Sequence, residues 1–269
     1  MSDLSGKTIL VTQADDFMGP ALCEELARCG ARVIADRRTP IGPDDAQRLV
    51  DDAGPIDALV ANLALPAPST PITGIGEDEW RRVFEVMVDP LPRLLRAVVP
   101  GMKARGGGKL IVMGSASALR GMKRSASYSA ARGAQLAFVQ AAGVELAPDN
   151  IQVNAVAQNF VDNPTYFPPE VQANPKFQER LRREVPLGRL VSAREDACFV
   201  AYLCSDAAEQ LLFVFQLYNG RCNILVCFHR LSWRLYIRPH NRSPPSFLPS
   251  PPHLSTPQRS KPRRTRGGR

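Results

Sequence analysis

The sequence predicts a doubly wound α/β fold built on a parallel sheet, and three observations predict it. Apolar runs of five to seven residues recur along the first part of the chain, as strands buried on both faces require. The segments between them carry helical spacing, so that strand and helix alternate. The length of 269 residues is enough for one such core and a tail.

Lys7-Thr-Ile-Leu-Val-Thr12 reads as the first strand, followed by a turn and a helix over 20–28 that stops at Gly30. Ala31 to Ala35 is the second strand, and a helix over 43–52 leads into a third apolar run, Ile56 to Asn62. The loop 66–76 is rich in Pro, Thr and Gly. A long helical segment over 78–102 is broken near Asp89-Pro90-Leu91-Pro92, because proline cannot continue a helix from its interior. Lys109 to Met113, bounded by glycines, is a strand, and a helix follows Ser127 with Tyr128, Arg132, Leu136 and Val139 at helical intervals. Gln152 to Ala157 is another buried strand, and 177–184 is a charged helix. Ser192 opens a last helix, to about Leu203, with Glu195 completing a capping box. Beyond Glu209 two β-rich runs, 210–218 and 223–228, flank Asn219-Gly220 and suggest a hairpin. From Arg238 the chain is Pro, Ser and Arg with little apolar content, which predicts disorder. The expected organisation is a folded domain over 1–209, a β-rich end over 210–237 and a tail over 238–269.

Charge divides along the same line. The formal net charge is +8, yet from Arg221 onward there are eleven basic residues and no acidic one, leaving the rest at −3. The terminal PRRTRGGR would at most contact phosphate backbones nonspecifically. All three histidines (His229, His240, His253) also lie beyond Glu209, which excludes His-based triads and most zinc sites from the domain. The six cysteines show no CxxC spacing, and Cys23, Cys29, Cys198 and Cys204 read as small buried hydrophobes. The N-terminus lacks a signal pattern and no apolar run reaches about 18 residues, so a cytoplasmic setting away from membranes is expected.

The chemistry-bearing stretch is Gly114 to Gly133, GSASALRGMKRSASYSAARG. Tyr128 and Arg132, four apart on a helix, share a face, and Ser115 at the end of a strand can meet both. A phenol with a pKa of about 10 in isolation is driven toward its anion by a nearby cation, so the cluster suits a phenolate base. The bland alternative is a surface Tyr and Arg beside a loop Ser.

This stretch resembles the active site of the short-chain dehydrogenase/reductase superfamily, whose signature is Ser followed by Tyr-x-x-x-Lys. Arg132 in the lysine position is similar to the halohydrin dehalogenases, a cofactor-free branch. The resemblance covers about Gly6 to Glu209 and implies a Rossmann-like fold. Redox members carry Thr-Gly-x-x-x-Gly-x-Gly after the first strand, where glycines let the backbone approach a pyrophosphate. This chain reads Thr12-Gln13-Ala14-Asp15-Asp16-Phe17-Met18-Gly19, with a ring and two negative charges where a nucleotide would lie. Asp36 stands where a ribose-binding acid usually sits and reads as a remnant, with Arg37 and Arg38 a solvated pair. Asn62-Leu-Ala-Leu65 lacks the glycine of the family's Asn-Asn-Ala-Gly, and Met87 matches a relay Asn. The resemblance therefore implies no cofactor.

It further implies that Tyr128 takes a proton from a vicinal halohydrin, that Ser115 hydrogen-bonds the substrate oxygen, and that Arg132 favours the phenolate. The alkoxide then displaces halide to close an epoxide, and small anions reopen it in reverse. Asn159, Phe160 and Val161 would cradle the halide, with Gln158 departing from the family's usual Pro. Phe17, Ser117, Tyr166 and Phe167 would line the substrate pocket, and a homodimer or homotetramer is expected. Two other readings stay open: an NAD(P)-dependent oxidoreductase in which Arg132 substitutes for Lys, and an inactive domain whose basic tail binds nucleic acid.

Overall fold

The computed structural model describes residues 2–209, 211, 224–225 and 236–237. Five strands, β1 (Thr8–Val11), β2 (Arg32–Ala35), β3 (Ala58–Ala61), β4 (Gly108–Ser115) and β5 (Ile151–Gln158), form a parallel sheet in the order β2-β1-β3-β4-β5. These are the five expected strands. Helices α1 (Gly19–Arg28), α2 (Asp45–Ala53), α3 (Glu77–Met87), α4 (Pro90–Ala104) and α5 (Ala126–Leu146) connect them. After β5 come a short α6 (Pro169–Gln172), α7 (Pro175–Glu184) and α8 (Ala193–Cys204).

The strands are apolar throughout because each face of the sheet is covered. Leu10, Leu59, Leu110 and Val112 point into one core with Leu49 of α2, Leu94 of α4 and Val139 of α5. Their strand neighbours Ile9, Val11, Val60, Ile111 and Met113 point into a second core with Leu22 and Leu26 of α1 and Val200 of α8. Alternate side chains thus serve opposite faces, each fully buried leucine contributing about 1.5–3 kcal/mol.

Pro90 opens α4, where its missing N–H costs nothing, so the interruption between α3 and α4 falls where the Asp89-Pro90 pair places it. The capping box of α8 is present: Ser192 Oγ accepts from the Glu195 N–H at 3.1 Å, and the Glu195 carboxylate accepts from the Ser192 N–H at 2.8 Å.

Among the described residues beyond Glu209, Ile224–Leu225 (β6) pairs antiparallel with Tyr236–Ile237 (β7). The hairpin expected about Asn219-Gly220 and the tail over 238–269 lie outside the described residues. No described helix is long and apolar enough to cross a membrane. Cys29 and Cys204 are buried and Cys23 is half-buried, whereas Cys198 is exposed against the expectation, its thiol donating to Glu25 at 3.0 Å across the α1–α8 contact.

Candidate active site

In an open parallel sheet, ligands bind beyond the carboxyl ends of the strands, where the strand order reverses. Here that edge is formed by the segments after β1, β3, β4 and β5.

The turn after β1 is shaped by two residues with left-handed backbone, Gln13 (φ 46°) and Phe17 (φ 51°). This conformation ordinarily favours glycine. Gly19 is needed for close approach, since a Cβ there would meet the Ala14 carbonyl oxygen at 2.4 Å. Gln13 is buried, and its amide bridges to the loop after β3. Oε1 accepts from the Ala64 N–H at 2.8 Å, while Nε2 donates to the Ala64 carbonyl at 3.2 Å and to Thr39 Oγ1 at 3.0 Å. Asn62 Nδ2 reaches back to the carbonyls of Gln13 and Asp16, each at 3.0 Å. The two loops are therefore tied together by side-chain amides. Asp15 pairs with Arg37 at 3.0 Å and Asp36 with Arg38 at 2.7 Å. The Asp15 charge is thus partly offset by Arg37, and Gln13 and Phe17 give the turn its bulk.

Ser115 ends β4 and caps a short 3-10 turn. Its Oγ accepts from the Ser117 N–H at 3.2 Å and from the Ser117 hydroxyl at 3.0 Å. With both lone pairs so engaged, the Ser115 hydroxyl has only its hydrogen left to offer a ligand. Ser117, expected in the pocket wall, instead lies buried behind Ser115 and does not line the cavity. The tight turn points its hydroxyl inward.

Tyr128 and Arg132 sit on one face of α5, both buried. The Tyr128 hydroxyl lies 3.3 Å from that of Tyr166, which donates to the Leu65 carbonyl at 2.9 Å. In the Tyr128–Tyr166 contact either hydroxyl can donate. Burial first, and then the neighbouring Tyr128, hold the Tyr166 phenol far above its ordinary range, so it stays protonated. The Arg132 guanidinium lies 5.0 Å from the centre of the Tyr128 ring. Its Nη1 donates to the Met113 carbonyl (2.7 Å), the Leu63 carbonyl (3.2 Å) and Gln135 Oε1 (2.9 Å), all at the ends of β3 and β4 or one helical turn on. Gln135, fully buried, donates in turn to the Met87 and Leu63 carbonyls at 2.7 and 3.3 Å. The cation is held against the phenol ring by backbone oxygens. Met87 enters this network through its carbonyl rather than its side chain.

Ser115, Tyr128 and Arg132 face a cavity of about 260 Å³, together with Phe17, Tyr166 and Phe167. The Phe17 and Tyr166 rings are 5.8 Å apart. Asn163 turns the chain after β5: its Oδ1 accepts from the Thr165 N–H and its carbonyl from the N–H groups of Tyr166 and Phe167, bringing both rings to the cavity. Gln158, Asn159, Phe160 and Val161 line the far side. Phe160 is left-handed (φ 54°) and packs on Phe167, Leu181 and Val185. Gln158 donates to Asp196, a fully buried carboxyl of α8 that desolvation raises to about 7. Arg120 and Arg180 also border the cavity. Sequence reasoning missed Gln135, Arg120 and Arg180; only Gln135, three residues after Arg132 on the same helix, offered a signal. Among the described residues no group of His, Cys, Asp or Glu is suited to a metal.

The fold agrees with comparison to known proteins. A family model described as Enoyl-(Acyl carrier protein) reductase matches residues 43–211, more than half the chain. The chain belongs to the short-chain dehydrogenase/reductase superfamily. Among curated superfamily members it is 28% identical over 236 residues to human Dehydrogenase/reductase SDR family member 4, covering 77% of this chain and 84% of that protein. It is also 28% identical over 234 residues to the 3-oxoacyl-[acyl-carrier-protein] reductase FabG of Vibrio cholerae, covering 78% and 94%. Among solved superfamily structures, one described as a dehalogenation enzyme superposes with a TM-score of 0.74 at 31% identity, covering 81% of this chain and 99% of that one. The L-sorbose reductase of Gluconobacter frateurii superposes equally well, at 0.74, but at 24% identity it speaks for the fold alone. The protein is accordingly an enzyme of this superfamily.

Proposed function

We propose that the enzyme is a halohydrin dehalogenase-like lyase working without a nucleotide. The observation that carries this reading is the β1–α1 turn. At two positions where the redox pattern has glycine, Gln13 and Phe17 hold the glycine-type backbone yet carry full side chains. Gln13 closes the gap to Ala64 and Phe17 becomes a wall of the cavity. A nicotinamide dinucleotide does not fit residues so placed, because its pyrophosphate needs close backbone approach. The relative described as a dehalogenation enzyme supports the same reading.

In this mechanism Tyr128 accepts the substrate hydroxyl proton while Ser115 donates its hydrogen bond to the same oxygen. The oxygen attacks the adjacent carbon, an O–C bond forms, the C–halogen bond breaks, and the halide leaves toward Asn159, Phe160 and Val161. The left-handed Phe160 suits a concave run of backbone N–H groups there. Arg132 supplies a permanent positive charge beside the phenol. A positioned general base contributes about 10²–10⁴-fold.

A second reading, an NAD(P)-dependent oxidoreductase, draws its support from the relatives named as reductases. It requires the nucleotide to displace the Gln13 amide. Halide release from a simple bromohydrin without nucleotide separates the two. We expect release by the wild type, lowered about 10²–10⁴-fold in Tyr128→Phe. NAD(P)H consumption without halide release would establish the second reading instead.

A further inference from the structure

We infer that the cavity takes substrates bearing a carboxylate, which docks on Arg120. The inference rests on the dehalogenase reading for its reaction, but its physical basis is independent of it. Among the described residues the cavity wall contains three arginines, Arg120, Arg132 and Arg180, and no aspartate or glutamate. Arg132 is committed to backbone carbonyls and Gln135. Arg180, on α7, is shared with Glu184 at 3.2 Å.

Arg120 has no carboxylate partner, unlike Arg180, and makes one hydrogen bond among the described residues where Arg132 makes three. It forms no ion pair among the described residues, and its Nη2 donates to a neutral acceptor, Asn159 Oδ1, at 2.9 Å. Its Nε, like that of Arg132, is buried with no acceptor among the described residues. A buried guanidinium N–H left unpaired is costly, and an arriving anion relieves that cost. The acidic residues needed to neutralise it are missing from the wall, and the chain after Glu209 contains none. Both Arg120 and Arg180 lie against the Phe160 ring, at 6.0 and 5.5 Å from its centre, so two positive charges meet at one side of the cavity. Lys123 and Arg124 follow Arg120 on the same loop.

The planar guanidinium fork matches a carboxylate better than a spherical ion, and about 260 Å³ suits a short acid rather than a large one. The reacting end would lie at Ser115 and Tyr128, with the carboxylate at Arg120, orienting the hydroxyl toward the base.

The test compares 4-bromo-3-hydroxybutanoate with 4-bromo-3-hydroxybutanamide, which differ in charge but little in size. We expect kcat/KM at least about tenfold higher for the acid, with the acid-to-amide ratio falling toward one in Arg120→Gln and largely kept in Arg120→Lys. Equal turnover of acid and amide by the wild type overturns the carboxylate site and leaves dehalogenation standing. If Arg120→Gln weakens product inhibition by bromide yet keeps the ratio, the guanidinium serves the halide and the proposal is overturned. If neither compound releases bromide, the dehalogenase reading fails, and calorimetry with butanoate and butanamide decides the site. Butanoate binding that disappears in Arg120→Gln supports it, and equal binding or none overturns it. Arg180→Gln, at a residue already paired with Glu184, should keep the acid-to-amide ratio, and a ratio lost there but kept in Arg120→Gln overturns the assignment to Arg120.

Discussion

The two halves of the strand-end edge are filled by side chains in different ways. Beyond β1 and β3, side-chain amides of Gln13 and Asn62 stitch the loops together, so protein occupies the reversal point of the sheet. Beyond β4 and β5, the edge stays open onto the cavity faced by Ser115 and Tyr128. The same backbone scaffold serves both halves, and what separates them is side-chain volume at a handful of positions. The fold is common to both halves, and the loop residues give each its own surface.

The largest expected effect lies in the open half. Tyr128→Phe is expected to lower halide release by about 10²–10⁴-fold with an unchanged thermal transition. Retained release would break the division of roles. In the closed half, Gln13→Ala strands the N–H and carbonyl of Ala64, and we expect a loss of about 2–3 kcal/mol in urea unfolding. A loss near zero would mean the stitch is incidental.

Asp196 sharpens the comparison from beneath the open half, because it anchors Gln158. Its folded-state value of about 7, against an ordinary 3.8, means the folded protein holds the proton more tightly than the unfolded chain. The associated stability is present below about pH 4 and declines as pH rises toward 7. Asp196→Asn does not titrate, so at pH 8 it should exceed the wild type by about 1–2 kcal/mol, the gap shrinking at pH 5. The smallest effect is Asp15→Asn. Its ion pair with Arg37 is mostly exposed, so stability should shift by less than about 1 kcal/mol. Nucleotide affinity measured by calorimetry should not appear either, since Gln13 and Phe17 remain.

The strands were legible because a sheet covered on both faces writes itself as unbroken apolar runs, such as Thr8–Val11 and Ala58–Ala61. The capping box at Ser192 and the break at Pro90 were legible because they are local backbone chemistry. Tyr128 and Arg132 reach the same cavity because four residues of helix bring them to one face. What escaped was of another kind. Gln135 draws its role from the carbonyls of Leu63 and Met87, partners 72 and 48 residues away that carry no side-chain signature. Arg120 and Arg180 meet only through the placement of Phe160, and Ser117 turned inward because of a turn no pattern announces.

Arg132 has a consequence for how the molecule breathes. Its charge is tethered to Leu63 after β3, Met113 in β4 and, through Gln135, to Met87 at the end of α3. Detaching α5 alone would leave a cation without its oxygens in an apolar interior, which is far costlier than fraying a surface helix. Local opening of the site is thereby coupled to opening of the sheet. The backbone amides of Ala131 to Leu136 should exchange with solvent deuterium only through the global unfolding route.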